Sequence, residues 1–332
     1  MSGAVIRRIE RGWVMAGQVQ FGLLVPALLA EPLPPPDHLE KLRRFIGEAE
    51  ELGFHSLWLT DRVLDRGGVR RLGVLEPLTL LAWAAAITSR IRLGTSVLLF
   101  AFRNPILVAK AAATLDHLSQ GRLTLGVSLG GTEAEYRSLG VPMKERVGRL
   151  RENLALLRRL WSEDEVTFQG RFYRIEGASV NPKPVQRPSI PIWLGGSHEA
   201  ALRRTAELAD GWVAGGRVTA AEFADGIAQV QRLAQERGRD PAALGFGKLI
   251  YIVIDADRSQ AQGMARAAFD PYYGAGFGDR YVLTGPLEDC AAELRGFAQV
   301  DAADVTLILG SPTFDIEHLH RLARAADLVR GG

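Results

Sequence analysis

The sequence of 332 residues predicts a single (β/α)8 barrel, an α/β fold with insertions after strands four and seven. Three observations carry this reading. Short apolar runs alternate with longer amphipathic stretches, the pattern of βα units. Eight such pairs follow one another, the number that closes a parallel barrel. The first strand is followed by Pro26, Ala27 and Leu28, not by the G-x-G-x-x-G that an open doubly wound sheet carries there.

Residues 19–25 read as the first strand, closed by Pro26. After a proline-rich loop (Pro32, Pro34, Pro35, Pro36), Asp37 is placed to cap a helix running to about residue 52, where Gly53 stops it. Residues 55–59 form the second strand, ending at Thr60 and Asp61. Residues 75–88 form the second helix and 92–99 the third strand. Pro105 suits the first turn of a helix reaching about residue 118. Gln120-Gly121 then turns the chain into strand four, residues 123–128. Leucines at 150, 154, 157 and 160 make a helical stripe within 146–161. A polar insertion follows at about 163–190, in which residues 166–175 turn at Gln169-Gly170 as a small hairpin. Strand five covers 192–194, with a helix over about 199–209. Strand six covers 212–214, with a helix over 220–237. Strand seven covers 246–254, and a Gly- and Tyr-rich segment around 270–279 leads to a helix from 287 to about 297. Strand eight is 305–309 and the last helix 315–328. Residues 1–17 stand before this as an N-terminal extension to a barrel domain of residues 18–332.

Composition narrows the function. Hydrophobic residues make up 47% and charged residues 23%, as in a globular protein with a large core. The 40 Lys and Arg nearly balance the 38 Asp and Glu, leaving a net charge of +2 and no basic arm for a nucleic acid. The one cysteine, Cys290, allows no intramolecular disulfide and points to a reducing cytoplasm. Residues 1–17 lack the apolar run of a secretory signal, and no run of apolar residues is long enough to predict a membrane span. No His, Cys, Asp and Glu grouping has metal spacing, and no G-x-S-x-G elbow or lysine-bearing P-loop occurs.

A parallel barrel works at the C-terminal ends of its strands, so position alone nominates residues. These are Asp61 and Arg62 after strand two, Ser96 and Val97 late in strand three, and Arg103 and Asn104 in the next loop. Residues 128–132, starting at Ser128, follow strand four; Gly195, Gly196 and Ser197 follow strand five. The last group is the most informative. Two glycines leave a strand end and run into a helix, where backbone N–H groups and the helix field suit an anion. Ser197 is placed either to cap that helix or to bond a phosphate oxygen. A tight turn with an ordinary cap fits the same residues.

Several blocks together resemble the bacterial luciferase-like superfamily. They are Gly94-Thr95-Ser96-Val97-Leu98, Arg103-Asn104-Pro105, Gly121-Arg122-Leu123, Asn181-Pro182-Lys183-Pro184, Pro191-Ile192-Trp193-Leu194-Gly195-Gly196 and Ala209-Asp210-Gly211-Trp212. Their order matches the branch that uses the deazaflavin coenzyme F420, the methylenetetrahydromethanopterin reductase-like branch. The resemblance implies a non-proline cis peptide at Ser96-Val97, pressed against one face of the cofactor ring. It also implies that Gly195 and Gly196 lie near the cofactor phosphate. Ser96, Val97, Ser128, Gly195, Gly196 and Ser197 are thus the expected cofactor-binding residues. Asp61 and Arg62 are the candidates for catalysis, and no metal is expected.

The sequence also departs from that pattern. Relatives carry Asp-His after strand two, where this chain has Asp61-Arg62. Sugar-phosphate dehydrogenase members place a glutamate after strand four, where this chain has Gly131. Alcohol oxidation wants a base for the hydroxyl proton, and an arginine cannot serve as one at neutral pH. The expected activity is therefore F420-dependent hydride transfer to or from a small organic substrate. The alternatives are FMN-dependent monooxygenation on the same fold and a non-catalytic flavin-binding barrel. A homodimer is expected from the resemblance.

Overall fold

The computed structural model describes residues 6–9, 12–15, 19–26, 28–29, 37–64 and 73–331. The proline-rich loop at 32–36 lies outside the described residues. Within the extension at 1–17, Ile6–Ile9 pairs antiparallel with Gly12–Met15.

Eight parallel strands close on themselves. They are β1 (Gln20–Leu24), β2 (Ser56–Leu59), β3 (Arg92–Thr95), β4 (Leu123–Ser128), β5 (Ile192–Gly195), β6 (Gly211–Ala214), β7 (Gly245–Ile254) and β8 (Asp304–Gly310). Each pairs with its successor, β4 pairs with β5, and β8 returns to β1 through Thr306 opposite Gln20. No edge is left in the ring, which removes the exposed ladder groups of an open sheet. The outer layer is α1 (His38–Glu51), α2 (Pro77–Ile87), α3 (Pro105–Leu118), α4 (Arg146–Ser162), α5 (Glu199–Leu208), α6 (Ala220–Gln235), α7 (Leu287–Ala298) and α8 (Ile316–Arg330). The leucine stripe of α4 is buried at Leu150, Leu154, Leu157 and Leu160, as its spacing predicts. Among the described residues no helix is long and apolar enough to cross a membrane.

Two tryptophans fill the middle of the barrel. Trp58 and Trp193 lie with ring centroids 5.4 Å apart. Their neighbours across the ring are glycines: a Cβ on Gly94 would stand 2.5 Å from the Trp58 ring, and one on Gly245 would stand 2.3 Å from that of Trp193. Burying an indole stabilises by roughly 2–3 kcal/mol, provided the facing strands leave it room.

Some elements differ from expectation. The third strand does not run unbroken over 92–99: β3 ends at Thr95, Ser96-Val97 is the non-proline cis peptide that the resemblance implies, and pairing with β4 resumes at Leu98–Leu99. The segment after β7 is a helix, Arg258–Tyr273, then a short helix, Phe277–Tyr281, and a further parallel strand, Val282–Gly285, paired with the outer half of β7. Asp37 precedes α1 but makes no side-chain cap; its carboxylate pairs with Lys41 at 2.7 Å, because its backbone is not in the extended form a capping side chain uses. His318 is buried on α8 against the ends of β7 and β8. The hairpin in the 163–190 insertion forms, with Val166–Gln169 against Arg174–Ala178, and the Glu152 carboxylate accepts the turn N–H groups of Arg171, Phe172 and Tyr173.

Candidate active site

The third-strand exit is built by close backbone approach. The Thr95 hydroxyl donates to the Gly126 carbonyl at 2.6 Å, and the Ser96 N–H donates to Leu59 at 2.7 Å. A Cβ at Gly126 would fall 2.0 Å from the Thr95 carbonyl oxygen, so only glycine lets β4 approach this closely. Beyond it, the cis peptide turns Val97 toward β5. A Cβ at Gly195 would lie 3.1 Å from one Val97 methyl and 3.5 Å from Ser128 Cβ. Val97, Ser128 and Gly195 therefore share one corner of the mouth, drawn from strands three, four and five.

The glycine turn after β5 is held from behind. Gly196 sits at φ 130°, and the Trp212 indole donates to its carbonyl at 2.7 Å. That bond faces the carbonyl inward and leaves the following residues, Ser197 and His198, on the surface. The cap position of α5 belongs to His198, not Ser197, and its side chain makes no cap bond. By contrast Asn104 caps α3 and Thr219 caps α6. The start of α5 thus keeps its first-turn N–H groups and its positive end free of a capping side chain.

Asp61 and Arg62 are neighbours with separate partners. Asp61 Oδ2 accepts the Leu99 N–H at 2.8 Å, and Arg103 Nη2 reaches both oxygens, at 2.8 and 2.9 Å. Its side chain is 0% exposed, and burial raises the Asp61 carboxyl above its ordinary value against the pull of Arg103 and the Leu99 amide. With both oxygens committed, Asp61 ties the second-strand exit to the third. Arg103 continues the tie to Glu76, which caps α2 through the Thr79 N–H. Arg62 instead reaches across the mouth. Its Nε donates to the Tyr272 hydroxyl at 2.9 Å, its guanidinium lies 5.0 Å from that ring's centroid, and Glu135 stands at 3.9 Å.

The other side of the mouth is aromatic. Tyr251, inward-facing near the end of β7, lies between Gly216 and Gly310, where an added Cβ would come within 2.6 and 2.8 Å of its ring. Phe269 packs on it at 4.7 Å, Tyr273 stacks on Phe277 at 4.2 Å, and the hydroxyls of Tyr251 and Tyr273 are hydrogen-bonded. Arg217 lies over Phe277 and Tyr281. The Gly- and Tyr-rich segment around 270–279 supplies Tyr272, Tyr273 and Phe277 here, whereas Tyr251, within the seventh strand, is not among the residues that position nominated. The signal was present: alternation along β7 puts 247, 249 and 251 on one face, and the last of these is nearest the working end.

Fold and site together define a closed parallel barrel whose mouth joins a kinked third strand to an uncapped helix start. The chain belongs to the luciferase-like monooxygenase family, which it matches over residues 19–327. An F420-dependent glucose-6-phosphate dehydrogenase of Kineococcus radiotolerans is 30% identical over 308 residues, 83% of this chain and 88% of that protein. An uncharacterised protein of Mycobacterium tuberculosis is 42% identical over 145 residues; that match takes in 43% of this chain and about half of the relative, 51%. Among solved structures, an F420-dependent secondary alcohol dehydrogenase with an F420–acetone adduct aligns with a TM-score of 0.78 at 20% identity, over 94% of this chain and 99% of its own, a likeness of fold.

Proposed function

We propose that this chain is an oxidoreductase that uses coenzyme F420 to move a hydride to or from a small organic substrate. The observation that carries the reading is the corner where Val97, Ser128 and Gly195 meet, beside the uncapped start of α5. A planar ring needs a firm wall on one face and no Cβ at its edge, which suits Ser96, Val97, Ser128 and Gly195. A phosphate needs N–H donors in a positive field, which suits Gly196, Ser197 and the first turn of α5. When bound, the deazaflavin supplies a carrier that gives or accepts hydride. The chain's own part would be to wall one face of the ring, to fix the third-strand exit through Asp61 and Arg103, and to exclude water with the aromatic cap. The relative from Kineococcus radiotolerans supports the cofactor but not its sugar-phosphate substrate. Arg62 stands where a proton acceptor is wanted, and its guanidinium presents only donors.

FMN-dependent monooxygenation is the second reading, favoured by the chemistry for which the family is named. A barrel that binds a flavin without turnover is the third. We further place the catalytic unit in residues 18–332, with 1–17 outside it, in the cytoplasm and as a homodimer. A groove of about 580 Å3 between α2 and α3, with Leu107 70% exposed beside it, supports the last point. Separate fluorescence and absorbance titrations with F420 and with FMN test the cofactor. The expected result is micromolar F420 binding with FMN at least about tenfold weaker, a gap of roughly 1.4 kcal/mol. The reverse order moves the assignment to the monooxygenase.

A further inference from the structure

We propose that the paired hydroxyls of Tyr251 and Tyr273 are the proton donor of the reaction, with Tyr273 giving its proton to the substrate and Tyr251 hydrogen-bonding the oxygen left behind. This rests on the deazaflavin reading above. Reducing a carbon–carbon or carbon–nitrogen double bond takes a hydride and a proton. The hydride from the reduced deazaflavin forms one new C–H bond, and the displaced π pair moves to the far atom. That atom takes the Tyr273 proton, the deazaflavin is oxidised by two electrons, and the phenolate is reprotonated from water before the next turnover.

The argument is first one of supply. Asp61 has both oxygens committed and no exposed side-chain surface. Arg62 is bonded to the Tyr272 hydroxyl, and Arg217 lies over Phe277 and Tyr281. Glu135 spends Oε2 on the N–H and hydroxyl of Thr132, while its Oε1, without a hydrogen bond, faces Arg62 at 3.9 Å on a side chain only 4% exposed and so out of a substrate's reach. His198 lies at the start of α5, at the phosphate end, and His318 is turned to the Ile254 backbone. The Ser128 hydroxyl is too weak an acid. Among the described residues at the mouth, the phenols remain.

Position agrees with supply. Tyr251 belongs to the interior cluster of Trp58 and Trp193, and both Val97 and Tyr273 pack against that cluster. The hydroxyl pair and the proposed ring seat therefore pack against the same cluster. Burial raises both phenols, so each holds its proton until the displaced π pair makes the far atom of the substrate a stronger base. The hydrogen bond from Tyr251, with Arg62 and Arg217 nearby, eases ionisation of Tyr273, while Tyr272 opposes it. Tyr273 is half-buried where Tyr251 is buried, so Tyr273 is the member that a substrate reaches.

The test uses Tyr273→Phe and Tyr251→Phe in the full chain, each checked for an unchanged thermal melt. Deazaflavin affinity, read by fluorescence, is expected to stay within about threefold of wild type, and single-turnover hydride transfer to a panel of enone and imine acceptors to fall about 100-fold in Tyr273→Phe and less in Tyr251→Phe. The wild-type solvent deuterium isotope effect should disappear in Tyr273→Phe. Independently of turnover, ultraviolet titration of the cofactor-free protein should show the Tyr273 phenolate forming at higher pH in Tyr251→Phe. Retained binding with wild-type transfer rates, an unmoved phenolate titration, or no turnover of any acceptor by the loaded wild type overturns the dyad alone. Failure of the wild type to bind deazaflavin overturns the cofactor reading, and the dyad with it.

Discussion

His318 is held by two hydrogen bonds that only a neutral imidazole makes. Its Nε2 accepts the Ile254 N–H at 3.0 Å, so Nδ1 carries the proton and faces the Ser311 hydroxyl at 3.0 Å. Burial, with Arg321 adding to it, pushes the His318 pKa down to about 4 from 6.5. His55, at the closed end of β2, is also pushed down to about 4, by burial and then by Arg92 and Arg330. Between these values and 6.5 the unfolded chain binds protons that the folded chain refuses. Stability is therefore complete above about pH 6.5 and is lost as the pH falls toward 4. Urea unfolding at pH 7 and pH 5 is expected to differ by about 2 kcal/mol for each histidine. In His318→Leu half of that difference should vanish, alongside lower stability at pH 7 from the stranded Ile254 N–H. An unaltered difference would remove His318 as its source.

The strands of this barrel use glycine for two separate purposes, and the purposes can be told apart. Gly94 makes room inside the barrel. Its Cβ would press 2.5 Å from the Trp58 ring, which cannot retreat because Ser56 accepts the indole N–H at 2.8 Å and Trp193 lies behind it. Gly195 makes room at the mouth, where the contact is a softer 3.1 Å to a Val97 methyl. Gly94→Ala should cost about 1–3 kcal/mol by overpacking and leave deazaflavin affinity nearly intact in what remains folded. Gly195→Ala should melt close to wild type but weaken deazaflavin binding about tenfold, roughly 1.4 kcal/mol, because its methyl occupies the proposed ring seat. Thermal melts paired with fluorescence titration check both. If each variant loses stability and affinity in proportion, the mouth glycine has no role distinct from packing.

Across the whole molecule, what could be read from sequence was what repeats or turns on a local signal. Eight strand and helix periods identified the barrel, and Pro105, Gly53 and the Gln120-Gly121 turn each marked an element end by local backbone chemistry. The helix Arg258–Tyr273 escaped because its buried stripe is Ala261, Ala265 and Phe269, two of them too small to read as apolar anchors, and Pro271 and Gly274 suggested loop. The mouth escaped for a different reason. Tyr251, Arg62, Tyr272 and Glu135 are distant in the chain, and no local pattern records that the second-strand exit and two helices meet at one guanidinium. That meeting has a consequence for the cap. Arg62 is the only side chain of the second-strand exit shown bonding the post-β7 helix among the described residues, through a 2.9 Å bond and a ring contact. A partly buried contact of this kind contributes about 1–2 kcal/mol, enough to alter local opening but not global folding. Hydrogen exchange in Arg62→Ala should therefore rise over residues 258–281, roughly tenfold for 1.4 kcal/mol, while β1 to β5 exchange as before. Arg62→Lys keeps the charge but not the planar face on Tyr272, so it should restore only part of the protection. Uniformly faster exchange throughout the barrel would mean that Arg62 supports the fold and does not fasten the cap. Protection equal to wild type in Arg62→Ala would mean that Tyr251, Phe269 and Phe277 hold the cap down without it.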